Sequence, residues 1–206
     1  MTQNKIDTII FDIGDVLAKG GHRTIIKALG EEYSKKEYSV WQDYKIGKCT
    51  EQQYWQRVLA QTRLEGEEKS IAKLAREIFR NSPKGDAYRF LAPLKDAGYN
   101  LAVLSNHSTE WAGIIVEQFE LKKFCEPILI SSDIQLEKPD PAIYAYTLKA
   151  VNREQEPHKC LFIDDKVENV LEARHSGMRV FHFKDKEGFK ADELLENELS
   201  AYGILK

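Results

Sequence analysis

Three cysteines in 206 residues, Cys49, Cys125 and Cys160, are too few, odd in number and too scattered for a disulfide framework or a zinc cluster. They read as reduced thiols. No apolar run approaches the length needed to span a bilayer, and 31% of the residues are charged, so no membrane partner is expected. A net charge of -3 without a basic stripe gives no footprint for nucleic acid. The first residues, Met1 to Lys5, lead into a strand without the apolar region or cleavage pattern of a signal peptide, which points to a cytoplasmic protein. Internal repeats and low-complexity tracts are also lacking. What remains is a chain long enough for one sizeable core and a small accessory domain, with 42% hydrophobic residues to build them.

Short apolar runs alternate with helix-length amphipathic segments, the pattern of a parallel sheet covered by helices on both faces. Ligands of such sheets gather at the carboxyl ends of the strands. Asp12 follows the run Ile9, Ile10 and Phe11, and the pair Asp164 and Asp165 follows Leu161, Phe162 and Ile163. Ser105 and Asn106 close the run Leu101 to Leu104, and Lys138 lies a short loop beyond Ile128, Leu129 and Ile130. A carboxylate nucleophile, a hydroxyl, a cation and a carboxylate pair suit a phosphoryl group and a magnesium ion. Two adjacent carboxylates facing a third are costly without a cation, which favours a metal site over simple capping of the helix that contains Val167, Val170 and Leu171.

The interval after the first strand, about Ile6 to Phe11, is much too long for an ordinary crossover, so something folded must fill it. Thr50 and Gln53 form a possible capping box ahead of Tyr54, Trp55, Val58 and Leu59. Ile71, Leu74, Ala75, Ile78 and Phe79 repeat at helical spacing. A helical insert over residues 18–83 is expected, rejoining the body at Pro83, with Gly20 and Gly21 as a candidate hinge. Gly98 and Gly177 stand where helices should end. Trp41, Tyr44, Tyr54 and Trp55 read by default as packing residues of the insert.

In order along the chain, Phe11 to Leu17, Leu104 to Asn106, Lys138 with Pro139, and Phe162 to Asp165 resemble the four motifs of the haloacid dehalogenase superfamily. The closest look is to its sugar-phosphate phosphatases and the phosphatase domain of soluble epoxide hydrolase. The resemblance spans nearly the whole chain. It implies an α/β fold with a Rossmann-like parallel sheet over residues 1–17 and 84–206, and a helical cap over 18–83. It also implies a magnesium-dependent phosphatase acting on a small-molecule phosphate ester, a sugar phosphate by preference, through an aspartyl-phosphate. Asp12 would be the nucleophile. Asp12, the Gly14 carbonyl and Asp165 would hold Mg2+, with Asp164 joining through water or supporting the ligands and Asn169 within reach. Ser105 and Asn106 would bind the phosphate, and Lys138 would both bind it and neutralise charge in the transition state.

The chain departs from that pattern at Gly14, where most phosphatases of the family place a second Asp that protonates the leaving group. Asp15, one position later, reads more readily as a turn residue. His22 and His107 are the histidines best placed to approach a leaving group, against a default of structural or solvated roles. A dehalogenase would have no use for the carboxylate pair. Phosphonate cleavage would need a Schiff-base lysine, for which Lys45 and Lys48 are available. A phosphomutase would lean harder on the missing acid-base group, and a silent metal- or phosphate-binding module is the alternative outside catalysis. Oligomeric state is not legible.

Overall fold

Five short strands form one all-parallel sheet among the residues described by the computed structural model, 5–186 and 188–205. They are β1 (Thr8–Phe11), β2 (Asn100–Ser105), β3 (Ile128–Ile130), β4 (Cys160–Asp164) and β5 (Arg179–His182), in the order β3-β2-β1-β4-β5. Residues 1–4, where the sequence shows no signal-peptide pattern, lie outside the described set. The first strand is shorter at its start than its sequence suggests. No helix among the described residues is long and apolar enough to cross a membrane.

Strand periodicity sorts the side chains into two faces. Ile9, Phe11, Leu101, Val103, Leu161 and Ile163 face one core; Ile10, Ala102, Leu104, Cys160 and Phe162 face the other. The strands read as continuous apolar runs because both faces are covered. On the first face lie α5 (Leu91–Asp96), α6 (Thr109–Gln118) and α10 (Ala191–Ala201); on the second lie α8 (Pro141–Ala150) and α9 (Val167–His175). The short α7 (Ser131–Ile134) follows β3. Gly98 and Gly177 have φ of 86° and 87°, the left-handed backbone that ends α5 and α9 at little steric cost.

Four helices occupy residues 18–83, the expected insert: α1 (His22–Leu29), α2 (Glu31–Tyr44), α3 (Glu51–Leu59) and α4 (Glu68–Arg80). The capping box at α3 is formed, with Gln53 N donating to Thr50 Oγ1 at 3.3 Å and Thr50 N to Gln53 Oε1 at 3.0 Å. On α4, Ala75 and Phe79 are buried and Ile71 and Ile78 pack against the same cluster. Leu74, which shares their spacing, stays 40% exposed. The chain enters and leaves this helical segment side by side. Ala18 bridges Lys84, Lys19 N donates to Pro83 O at 2.9 Å, and Gly85 N donates to Leu17 O at 2.8 Å. A Cβ at Gly85 would stand 2.1 Å from Val16 O, so the approach requires glycine.

The segment is also tied to the body away from that neck. Ser131 Oγ donates to Lys45 O at 2.5 Å, Lys45 pairs with Glu137, and Trp111 Nε1 donates to buried Glu51 at 2.7 Å. One hydrophobic cluster runs from the helices of the segment into the first face of the sheet.

Candidate active site

β1, β2 and β4 are adjacent, so the residues just past their carboxyl ends must share one crevice. Chain order reverses here, because β1 is flanked by β2 on one side and β4 on the other. Register makes the placement sharper. Phe11 is level with Ile163, and Asp12 N donates to Ile163 O at 2.9 Å, so Asp12 and Asp164 lie next to each other. Both continue the parity of Ile10 and Phe162, which points them towards the face covered by α8. Lys138, in the loop before α8, reaches in from that face.

The Lys138 ammonium is fully enclosed between the carboxylates, with Nζ 2.6 Å from Asp164 Oδ2 and 3.0 Å from Asp12 Oδ1. It also donates to Leu104 O at 2.8 Å. Burial works against its charge, but the Asp12 and Asp164 carboxylates outweigh that and hold it above the usual lysine range. Asp164 accepts from Lys138, from Lys166 N at 2.8 Å and from Asn169 Nδ2 at 3.0 Å. This sets Asn169 against Asp164, whose carboxylate it orients. Asn106 holds the other end of the lysine, with Nδ2 donating to Lys138 O at 2.7 Å and Oδ1 accepting from Lys138 N at 2.8 Å. The sequence gives no hint of this clamp, since the two residues lie on separate loops.

A cavity of about 150 Å³ opens above these groups, lined by Asp12, Gly14, Ser105, Asn106, Lys138 and Asp165, with Asp164 beneath them. The donor set suits a hard cation. One carboxylate oxygen from each of Asp12, Asp164 and Asp165 lies within 4.8 Å of the other two. Asp12 Oδ1 is buried and ion-paired, yet it accepts no directed hydrogen bond. Burial, followed by the Asp12 and Asp164 charges, pushes the Asp165 carboxyl up to about 6. One lysine against three carboxylates leaves negative charge that a divalent cation would offset.

Gly14 leaves open space beside Asp12, since a Cβ there would meet Asp12 Oδ2 at 3.8 Å and nothing else within 4 Å. Asp15 does not fill it. Its φ is 54°, its N donates to Ala18 O at 2.7 Å, and its carboxylate accepts from Gly20 N and lies 3.4 Å from Arg23. This is the turn role expected of it.

The helical segment closes the cavity with Trp41, Phe79, Lys45 and His22. Tyr44, Tyr54 and Trp55 are fully buried packing residues, whereas Trp41 is half-buried and reaches the cavity. His107 is buried, and that burial, with His22 adding to it, lowers its imidazole to about 4, so it is neutral. Lys45 lines the cavity in its pair with Glu137, and Lys48 is exposed away from it. Glu37, on α2, is buried and accepts from Tyr54 OH at 2.6 Å and from His22.

Known proteins resemble this chain in sequence and in fold. The chain is 32% identical to the drimenol cyclase drtB of Aspergillus calidoustus over 88% of its own length, and spans about a third of that relative, 35%. Its fold resembles an HAD-family enzyme of Bacteroides thetaiotaomicron, bt-2542, solved with magnesium and inorganic phosphate (TM-score 0.70, 18% identity, 92% of this chain and 98% of that one). It also resembles the L-2-haloacid dehalogenase of Xanthobacter autotrophicus (TM-score 0.65, 19% identity, 98% of this chain and 85% of that one). The family model for haloacid dehalogenase-like hydrolases matches residues 6–177, and the chain belongs to that family of enzymes.

Proposed function

We propose that this hydrolase is a magnesium-dependent phosphatase that cleaves a small phosphate monoester, with sugar phosphates the preferred class, through a phosphorylated Asp12. The observation that carries the reading is the convergence of three carboxylate oxygens within 4.8 Å around a buried lysine, on a cavity small enough for a phosphoryl group and a compact alcohol. A dehalogenase has no need of that acidic cluster. The division into a core of residues 1–17 and 84–206 and a cap of 18–83 is part of the proposal, supported by the neck where Ala18 meets Lys84. A cytoplasmic location is likewise proposed, in keeping with three unpaired thiols.

Asp12, the Gly14 carbonyl and Asp165 would hold the magnesium, with Asp164 supporting. The ion would supply charge compensation for a dianionic phosphate. Ser105 and the amides after β2 bind phosphate oxygens. Asp12 attacks phosphorus, giving an aspartyl-phosphate that water then hydrolyses. Lys138, fixed by Asn106 and Asp164, neutralises charge as the transition state develops. Phosphate release from a panel of sugar phosphates and an aryl phosphate tests the reading, with haloacids as the control. Magnesium-dependent release that chelator abolishes is expected; halide release without phosphate release would refute it.

A further inference from the structure

A phosphatase without a side chain at position 14 still needs a proton for its leaving group, and this inference rests on the phosphatase reading above. In an in-line displacement the departing oxygen lies opposite the attacking carboxylate. The strand ends hold Asp12, so the leaving group faces the wall supplied by the helical segment. A Cβ at Gly14 would meet only Asp12 Oδ2 within 4 Å, so the space beside Asp12 holds no side chain from position 14.

Of the other proton-exchanging groups around the cavity, Lys19 is paired with Asp86, Lys45 is committed to Glu137, and His107, after β2, is buried against Ser108 O. His22 differs from these. Its ring lines the cavity, stacks on Trp41 with centroids 4.2 Å apart, and gives Nε2 to Glu37 Oε1. Glu37 is itself pinned by Tyr54 OH at 2.6 Å, so the ring is oriented by a buried, fixed acceptor. A carboxylate at Nε2 fixes the proton of the neutral ring there and leaves Nδ1 able to take up and return a proton. No group among the described residues is hydrogen-bonded to Nδ1.

We propose that His22, oriented by Glu37, is the acid-base group of this enzyme and replaces the side chain that Gly14 does not supply. As Asp12 forms its bond to phosphorus, the bond from phosphorus to the leaving oxygen breaks and the Nδ1 proton passes to that oxygen, giving the free alcohol and a neutral imidazole. Nδ1 then takes a proton from water as the water oxygen attacks phosphorus. The bond to Asp12 breaks, inorganic phosphate leaves, and His22 is protonated again. Glu37 is a positioning residue, since it acts through the ring.

The test compares kcat/KM for benzyl phosphate, whose alcohol needs a proton to leave, with nitrophenyl phosphate, whose phenolate does not. In His22→Gln, kcat/KM for benzyl phosphate should fall about 10²–10⁴-fold and kcat/KM for nitrophenyl phosphate less than about tenfold, because water attack, which also uses His22, follows the step that kcat/KM reports. The retained nitrophenyl activity also reports that the variant is folded, and His22→Asn should behave alike. Glu37→Gln should show the same leaving-group bias with smaller amplitude; without it, the positioning role is refuted. Adding Gly14→Asp to His22→Gln should recover benzyl phosphate turnover. Equal losses on the two esters in both His22 variants, or no loss on benzyl phosphate, would overturn the assignment. A wild type inert towards both esters would sink the phosphatase reading, and this assignment with it.

Discussion

Lys138 sets the electrostatic balance of the site, because it is the buried cation between Asp12 and Asp164. Replacing it with an apolar side chain leaves two buried carboxylates facing each other, and breaking a buried pair in this way costs roughly 3–5 kcal/mol. Lys138→Met should therefore lower the unfolding free energy of the metal-free protein, measured in urea, by that order and abolish turnover; unchanged stability would mean that the carboxylates are not ionised together. Asp164 is held by Lys138, Lys166 N and Asn169, so Asn169→Ala should weaken turnover by misplacing Asp164 without touching Asp12. Steady-state kinetics with intact phosphate affinity would check it. Cys125 and Cys160 are buried, and burial pushes each thiol up to about 12, which makes them inert core residues and not redox groups.

The neck and the caps are where single elements can be tested. At Gly85 an added methyl must displace the Val16 carbonyl, so Gly85→Ala should destabilise by about 1–3 kcal/mol in chemical denaturation. Thr50→Ala removes the α3 capping box and should cost about 0.5–2 kcal/mol. Thr50 and Gln53 were legible in the sequence because a capping box is a local pattern. The strand ends were legible for a related reason: apolar runs buried on both faces stop where Asp12, Ser105 and Asp164 begin, and a parallel sheet brings those stops together. Glu37 and Glu51 were not legible. Each sits in a charged helical stretch, and their partners, His22 and Tyr54 for one and Trp111 and Arg76 for the other, are distant in sequence. Helical periodicity says which face a residue occupies but not that a buried carboxylate has found donors. For the same reason Asn106 could be placed beside the phosphate site but not recognised as the clamp on Lys138.

Across the whole molecule, the proposal that magnesium sits in the carboxylate cluster links metal binding to protonation and stability. Asp165 is held at about 6, above the ordinary carboxylate value of 3.8, chiefly by burial and then by Asp12 and Asp164. A carboxyl raised on folding contributes stability below its unfolded pKa and loses it as pH rises through the folded value. Magnesium needs the ionised form, so the rise in Tm that it produces should grow as pH increases from about 4 through about 6. A magnesium effect independent of pH across that window would place the ion elsewhere. The measurement that bears most directly on the account is phosphate release by wild type and Asp12→Asn, with magnesium and with chelator, from an aryl phosphate and a sugar-phosphate panel. The account predicts magnesium-dependent release that vanishes in Asp12→Asn while the variant keeps its fold by circular dichroism. Most of the activity surviving in Asp12→Asn, or release indifferent to chelator, would contradict it.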